Sequence, residues 1–496
     1  MLSLGQSWQL LLGLLILYNA VQGVYNIFFH PLRHYPGPLL WRASPIPKNW
    51  HFIMGTYHRK AYEMHQKYHG TVRVAPDCLS YVDPGAWKDI IGRPYKTELA
   101  KDSRFFGGET LGASMLSAAP PDHHARMRRL FAPAFTNTAL KAQEPLLQKY
   151  ADQMIAKMQD MQTRFGRVNL VDLYAFTTFD IMGDLIFGQP LMLLERGDYT
   201  PWVKAVHLGL KFILWHGVLT QIPIVGAAIT ALTASTMKKG SQEHNEYAAD
   251  LVDRRLAHGS GDKPDVWSFV LKHDGDEKGL TQAEMRDNAS MFTIAGSETS
   301  ATALPGTTAF VLNHPKVQQR LVEEIRSSFP TAAEMSTTAL MELPYLNAVI
   351  KEGLRLYLAG AAVMPRIVPP GGTEICGDHI PGGTTVWIDA WVANRLDRFW
   401  ERPLEFLPER WLNPDDPEFA KDEKSIFRPF WAGPRDCLGK NLAWHELRLL
   451  IANLFWHYDV EMTPKNPDWA YQRNFLTWEK KPLMVKLSPA RKNVPN

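Results

Sequence analysis

The chain has 496 residues, 45% hydrophobic and 21% charged, with a net charge of +3. That is an ordinary globular composition, long enough for two or three domains or for complete burial of a large cofactor, and its charge balance excludes nucleic-acid binding by bulk electrostatics. Cys78, Cys376 and Cys437 are far apart and odd in number, which excludes a disulfide framework and C-x-x-C zinc spacing and fits a reducing compartment.

No Lys, Arg, Asp or Glu precedes Arg33, and Trp8 to Phe29 is a 22-residue run rich in Leu, Ile, Val and aromatics. About 20 such residues cross a bilayer as a helix, so residues 1–32 are expected to be a membrane anchor. Gln9, and in its second half Asn19, Gln22 and Asn26, dilute the run. No basic leader or small-residue cleavage site marks a removable signal, and Arg33 places the bulk of the chain on the cytosolic side. Residues 33–48 follow as a Pro-rich spacer. Pro36, Pro38, Pro45 and Pro47 forbid a continuous helix and favour extended backbone.

The middle of the chain reads as mainly helical. Thr281 and Glu284 form a capping-box pair ahead of a helix to about Leu312. Met285, Ala289, Phe292, Gly296 and Thr299 share one of its faces, Pro305 should kink it, and His314-Pro315 ends it. Residues 343–357 read as a second amphipathic helix, and 363–391, rich in Gly, Pro and β-branched residues, as short strands and turns. The last long helix starts near Lys440, with Leu447, Leu450, Ile451 and Leu454 on one face. The fold class is mainly α with a minor β region.

Just before that helix stands FWAGPRDCLG, residues 430–439. A free cysteine is commonly just a buried apolar residue. Here every neighbour has a role if Cys437 is the thiolate ligand of a haem iron. The helix N-terminus and nearby N–H groups stabilise the negative sulfur. Gly433 permits a tight loop, and Gly439 lets the helix backbone approach the porphyrin. Arg435 can pair with a propionate, while Phe430 would cover the sulfur. At average residue usage, F-x-x-G-x-R-x-C-x-G arises by accident in on the order of one chain in ten thousand.

With these residues the chain resembles the cytochrome P-450 family, of the membrane-bound fungal type, from the apolar N-terminus to the cysteine loop. The resemblance implies the P-450 fold, haem b (iron protoporphyrin IX) buried between two long helices, and residues 49–496 as the haem-thiolate catalytic domain. Glu352 and Arg355 match the family's E-x-x-R, completed by Arg410, with Trp411 where the family more often has Phe. In AGSETS, residues 295–300, Gly296 would open a groove over the iron, and Thr299 with Glu298 would handle dioxygen and deliver protons. His124 and Arg128, four apart on a helix, and Arg366 would hold the propionates. Arg126 and Arg129 read as a solvated basic face that could help dock a reductase.

The resemblance further implies an apolar substrate pocket drawn from Arg104 to Met115, Phe292, Ala361 to Met364, and Phe475 to Trp478, with Phe105, Phe106, Val363 and Met364 among its side chains. Small Ala361 and Ala362 leave space for a bulky hydrophobic substrate, such as a terpenoid, polyketide or indole-derived compound. The implied activity is insertion of one atom of O2 with electrons from NADPH through a reductase, on the cytosolic face of the endoplasmic reticulum membrane. Two alternatives stay open at this point: a reductase-independent haem-thiolate isomerase or dehydratase, against which Thr299 counts, and a non-enzymatic membrane haem-binding protein. The sequon at Asn288 falls on a helix facing the cytosol and is expected to stay unmodified.

Overall fold

Thr281 caps the central helix as its spacing predicts: its hydroxyl accepts from Glu284 N–H at 3.2 Å, and Glu284 reaches back to Thr281 N–H at 2.8 Å. The helix runs Gln282–Asn313, unbroken through Pro305, which its neighbours bury. The computed structural model describes residues 4–103, 105, 114–115, 120–219, 232, 246–257, 264–271 and 279–490.

Helix Leu170–Phe187 lies along the central helix, and every residue of it except Asp172 is buried. Thr178 Oγ1 donates to Ser297 O (3.1 Å) and Ser297 Oγ to Thr178 O (3.3 Å), so hydroxyls zip the two backbones together. Such side chains satisfy their donors inside the protein, which makes the close approach affordable. On other sides pack helices Pro344–Leu356 and Lys440–His457. Leu447, Leu450, Ile451 and Leu454 are all buried as their periodicity predicts, each stabilising by roughly 1.5–3 kcal/mol relative to exposure.

The β part is small. One sheet orders its strands β1-β2-β8-β5-β3: β1 is Val72–Ala75, β2 Cys78–Tyr81, β3 Ala100–Lys101, β5 Arg366–Ile367 and β8 Thr385–Ile388. β2 and β8 are parallel and the other pairs antiparallel. A second sheet pairs β4 (Val168–Asn169), β10 (Met484–Pro489) and β9 (Tyr458–Met462), and β6 (Thr373–Ile375) with β7 (Asp378–Ile380) forms a hairpin. The strands read from residues 363–391 are thus present.

The N-terminus departs from expectation twice. Helix Leu4–Phe28 is long enough to span, but among the described residues no helix is long and apolar enough to cross a membrane. The expected extended spacer also folds. Leu39–Ala43 and Ile46–Ile53 are helices, since Pro at a helix start forfeits no ladder bond. Tyr35 and Trp41 are buried, and Pro36 O accepts from Arg73 N–H at 2.7 Å. Arg73, itself buried, donates to Asn26 O at 2.8 Å, docking the end of the first helix on the body.

Candidate haem-thiolate site

The cysteine loop depends on glycine at one point. Gly433 has φ +75°, and a Cβ there would lie 2.5 Å from Ile91 O and 2.8 Å from Gly92 Cα. No other residue fits that conformation and that contact. Trp431, also at positive φ, sets its ring 5.5 Å from Trp87. Cys437 N–H donates to Phe430 O at 2.9 Å and closes the loop, while the Phe430 ring lies 5.8 Å from Trp444. Gly439 is the residue that caps helix Lys440–His457. Burial pushes the Cys437 thiol up, and Asp436 adds to it; the Gly439 amide, Arg128 and Lys440 pull the other way. A metal ligated by such a sulfur deprotonates it outright.

A basic cluster surrounds the loop. Strand register sets Lys101 opposite Arg366. Arg435 forks onto Glu98 at 2.6 and 2.9 Å. Arg128 donates to Asp436 O at 2.7 Å and to its carboxylate. His124 Nδ1 meets Tyr95 Oη at 2.9 Å, and Tyr95 donates to Pro434 O at 3.1 Å. Burial and then Arg435 and Arg366 bring Lys101 down to about 7. Burial and Arg435 lower Arg366 to about 10, and burial with Arg435, Lys101 and Arg128 lowers His124 to about 3. His124 is therefore a neutral imidazole, not a cation.

The sequence-predicted set of Arg435, Arg128, His124 and Arg366 does come together, but Arg435 and Arg128 already hold carboxylates. The sequence gives no sign of Lys101, which stands in a two-residue strand, or of Glu98, which follows a single short turn, because neither segment is long enough to carry a periodic signal. Arg435, Arg128, Arg366 and Lys101 thus lie together beside the loop, a concentration of cationic and hydrogen-bonding groups that suits the two propionates of haem b. There is room as well. A Cβ on Gly439 would meet no atom within 4 Å, and Thr299 is exposed between buried Glu298 and Ser300. The donor set fits haem b.

Thr299 Oγ1 donates to Ala295 O at 2.7 Å, one turn back. Gly296 does not open a groove on that face. Its missing Cβ faces helix Leu170–Phe187, where it would lie 2.7 Å from Met182 Sδ, so the glycine serves helix packing. Glu298 is buried and salt-bridged to Lys480, and it meets His207 at 2.9 Å. Burial favours its neutral form, but Lys480 and His207 prevail and bring it down to about 2. It is an ionised, clamped carboxylate rather than a free acid. No sequence signal links it to partners 91 and 182 residues away. Ser300 donates to Glu446 at 2.5 Å, joining the central helix to the one that begins beside Cys437. Burial pushes Glu446 up to about 8, with the Ser300 bond opposing.

Behind the loop, Glu352, Arg355 and Arg410 are fully buried together. Glu352 accepts from Arg355 at 2.7 and 2.9 Å, Arg410 at 3.1 Å, Leu407 N–H at 3.0 Å and Trp411 Nε1 at 2.9 Å. Trp411 is thus more than an aromatic swap, because its indole N–H completes the carboxylate's shell. Its ring meets Phe427, just ahead of the loop, at 4.8 Å.

Other expectations sort differently. Arg126 is held by Glu284 and Gly279 O, leaving Arg129 as the exposed base of that pair. Phe292 packs edge-on against Phe131 and Phe135 at 4.8 and 5.8 Å, and Phe475 is buried against Trp215 and Gly55. Both belong to cores. Ala361 and Val363 are buried, Ala362 and Met364 half-buried, and Trp478 is buried, donating to Leu358 O. Phe105 sets its ring against Phe52, and Met115 N–H donates to the buried Asn288. Arg104 and Phe106 lie outside the described residues.

The cytochrome P450 family model matches residues 37–487. The chain is 40% identical over 480 residues to cytochrome P450 monooxygenase efuB of Hormonema carpetanum, covering 96% of this chain and 95% of that one. It is 40% identical over 474 residues to cytochrome P450 monooxygenase FUM2 of Gibberella moniliformis (95% and 100%). It is 36% identical over 490 residues to averantin hydroxylase of Dothistroma septosporum (96% and 90%). With its cysteine loop and cation cluster in place, the chain belongs to the cytochrome P450 family and is a monooxygenase that uses haem b.

Proposed function

We propose that this monooxygenase inserts one oxygen atom into a bulky hydrophobic secondary metabolite of the terpenoid, polyketide or indole-derived kind, with electrons from NADPH through a reductase. The balance is RH + O2 + NADPH + H⁺ giving ROH + H2O + NADP⁺. The observation that carries the reading is the Cys437 loop, shaped by Gly433 and set among clustered basic side chains. Small Ala361 and Ala362 and the hydroxylase named among the relatives support a hydrophobic substrate.

Haem b, bound through Cys437, supplies the reductive activation of O2. Arg435, Arg366, Lys101, Arg128 and neutral His124 would hold its propionates by charge and hydrogen bonding. Gly439 leaves the porphyrin room. Thr299 would hold a proton at Oγ1, its hydroxyl already oriented by Ala295 O, and Glu298 would feed it. With haem and substrate in place, the helices packed around the site would keep water from diverting the oxidant.

Association with the endoplasmic reticulum membrane, catalytic unit in the cytosol, is part of the same proposal. Leu14, Ile16, Leu17, Tyr18 and Val21 all project exposed from the first helix, a surface suited to lipid. The decisive experiment reduces the purified protein under carbon monoxide. A thiolate-type Soret shift that disappears in Cys437→Ala is expected; its persistence there would sink the assignment. Turnover that survives omission of the reductase would instead favour a peroxide isomerase.

A further inference from the structure

Glu298 joins three segments that are distant in sequence. His207 comes from helix Pro201–Leu219, Lys480 from the segment before β10, and Glu298 itself from the central helix. Lys480 also donates to Thr302 Oγ1 at 3.0 Å. Its segment is held by neighbouring Glu479, which pairs with Lys211 of the His207 helix at 2.9 Å and with Arg473. The His207 ring is fixed edge-on by Phe179 at 5.8 Å and Tyr199 at 5.4 Å, and Tyr199 donates to Asp172 at 2.9 Å. The side chains of Glu298 and Lys480 are 3% and 9% exposed, that of His207 31%. His207 is therefore the member of this trio that meets solvent, and histidine is the side chain that exchanges protons near neutral pH.

We propose that His207 is the port through which protons reach Glu298, and that Lys480 is the positioning residue that holds Glu298 ready to receive them. This rests on the reading of Glu298 and Thr299 as the proton relay. Each transfer balances simply. Solvent first gives a proton to Nδ1 of His207, the imidazolium so formed passes its Nε2 proton to Glu298 Oε2 and is left a neutral imidazole, and Glu298 yields the proton toward Thr299. Lys480 keeps the carboxylate ionised between transfers, so that the buried group does not trap the proton. A purely structural salt bridge would need neither the imidazole nor its exposed edge.

The test uses full-length holoenzyme with its reductase and NADPH, without organic substrate. It measures the share of consumed O2 recovered as hydrogen peroxide rather than water. Reduction to peroxide takes NADPH + H⁺ + O2 and reduction to water takes 2 NADPH + 2 H⁺ + O2, so starved proton delivery raises the peroxide share. His207→Phe and His207→Gln are both expected to raise it several-fold, although Gln can keep the hydrogen bond to Glu298. Lys480→Met is expected to raise it, and Lys480→Arg to restore most of the loss. The carbon-monoxide Soret band checks haem loading in each variant. A second readout needs no turnover: Lys480→Met should gain a protonated-carboxyl infrared band that is absent when Glu298→Gln is added. If His207→Gln matches wild type while Glu298→Gln raises peroxide, the port is refuted and the relay stands. If Glu298→Gln itself matches wild type, the relay reading fails first. If Lys480→Met gains no carboxyl band, the positioning role of Lys480 is wrong.

Discussion

Two buried glutamates on touching helices are driven in opposite directions by their neighbours. Glu298 has Lys480 and His207 and is brought down to about 2; Glu446 has Ser300 and is pushed up to about 8. The linkage signs differ accordingly. Glu298 contributes stability that is present above its ordinary value of 4.5 and lost as pH falls toward 2. Glu446 binds its proton more tightly when folded, so its contribution is full below 4.5 and is lost as pH rises through 8. Glu446→Gln should therefore flatten the decline of melting temperature between about pH 5 and 8; an unchanged profile would contradict a protonated Glu446. Gly433→Ala meets a positive φ, costing about 1–2 kcal/mol, as well as the Ile91 carbonyl. It should lower melting temperature and haem content together. These outcomes belong to single residues because each follows from one side chain's immediate surroundings.

At the scale of elements, the Glu352 shell is the joint between helix Pro344–Leu356 and the segment leading to the cysteine loop. Removing one partner of a buried ion pair typically costs about 3–5 kcal/mol, because the remaining charges are left uncompensated. Glu352→Ala strands Arg355 and leaves Arg410 with Asp422 as its remaining carboxylate, so haem incorporation should fail. A stable, fully haem-loaded variant, measured by absorbance ratio, would refute the joint. Trp411→Phe removes one donor to a charged acceptor and should cost about 1–3 kcal/mol by thermal unfolding, with haem still bound. Helix limits, caps and apolar faces here were readable in advance, since they follow from local spacing. The indole donor from Trp411, the packing role of Gly296 and the carboxylate partners of Arg435 and Arg128 were not, since each depends on which element lies opposite.

For the whole molecule, the first helix and the catalytic body form one continuous structure through Asn26, Ala43 and Arg73. A chain lacking residues 1–22 keeps these contacts and should lose vesicle binding, scored by flotation, while keeping its haem and melting temperature. Removal of residues 1–32 also takes a partner from buried Arg73 and should lower the melting temperature. Equal vesicle binding by full-length and shortened chains would place the lipid-binding surface elsewhere.

The sequence by itself determined the mainly helical class, the cysteine loop, the E-x-x-R residues and the central helix with its cap. All are set by interactions within a few residues or by a motif whose spacing the chemistry dictates. Only the tertiary structure decided that Lys101 and Glu98 join the cation cluster, that Glu298 is clamped from two distant segments, that the spacer folds into helices, and that the end of the first helix docks on the body through Arg73. Burial and long-range charge pairing set those outcomes, and neither has a period along the chain.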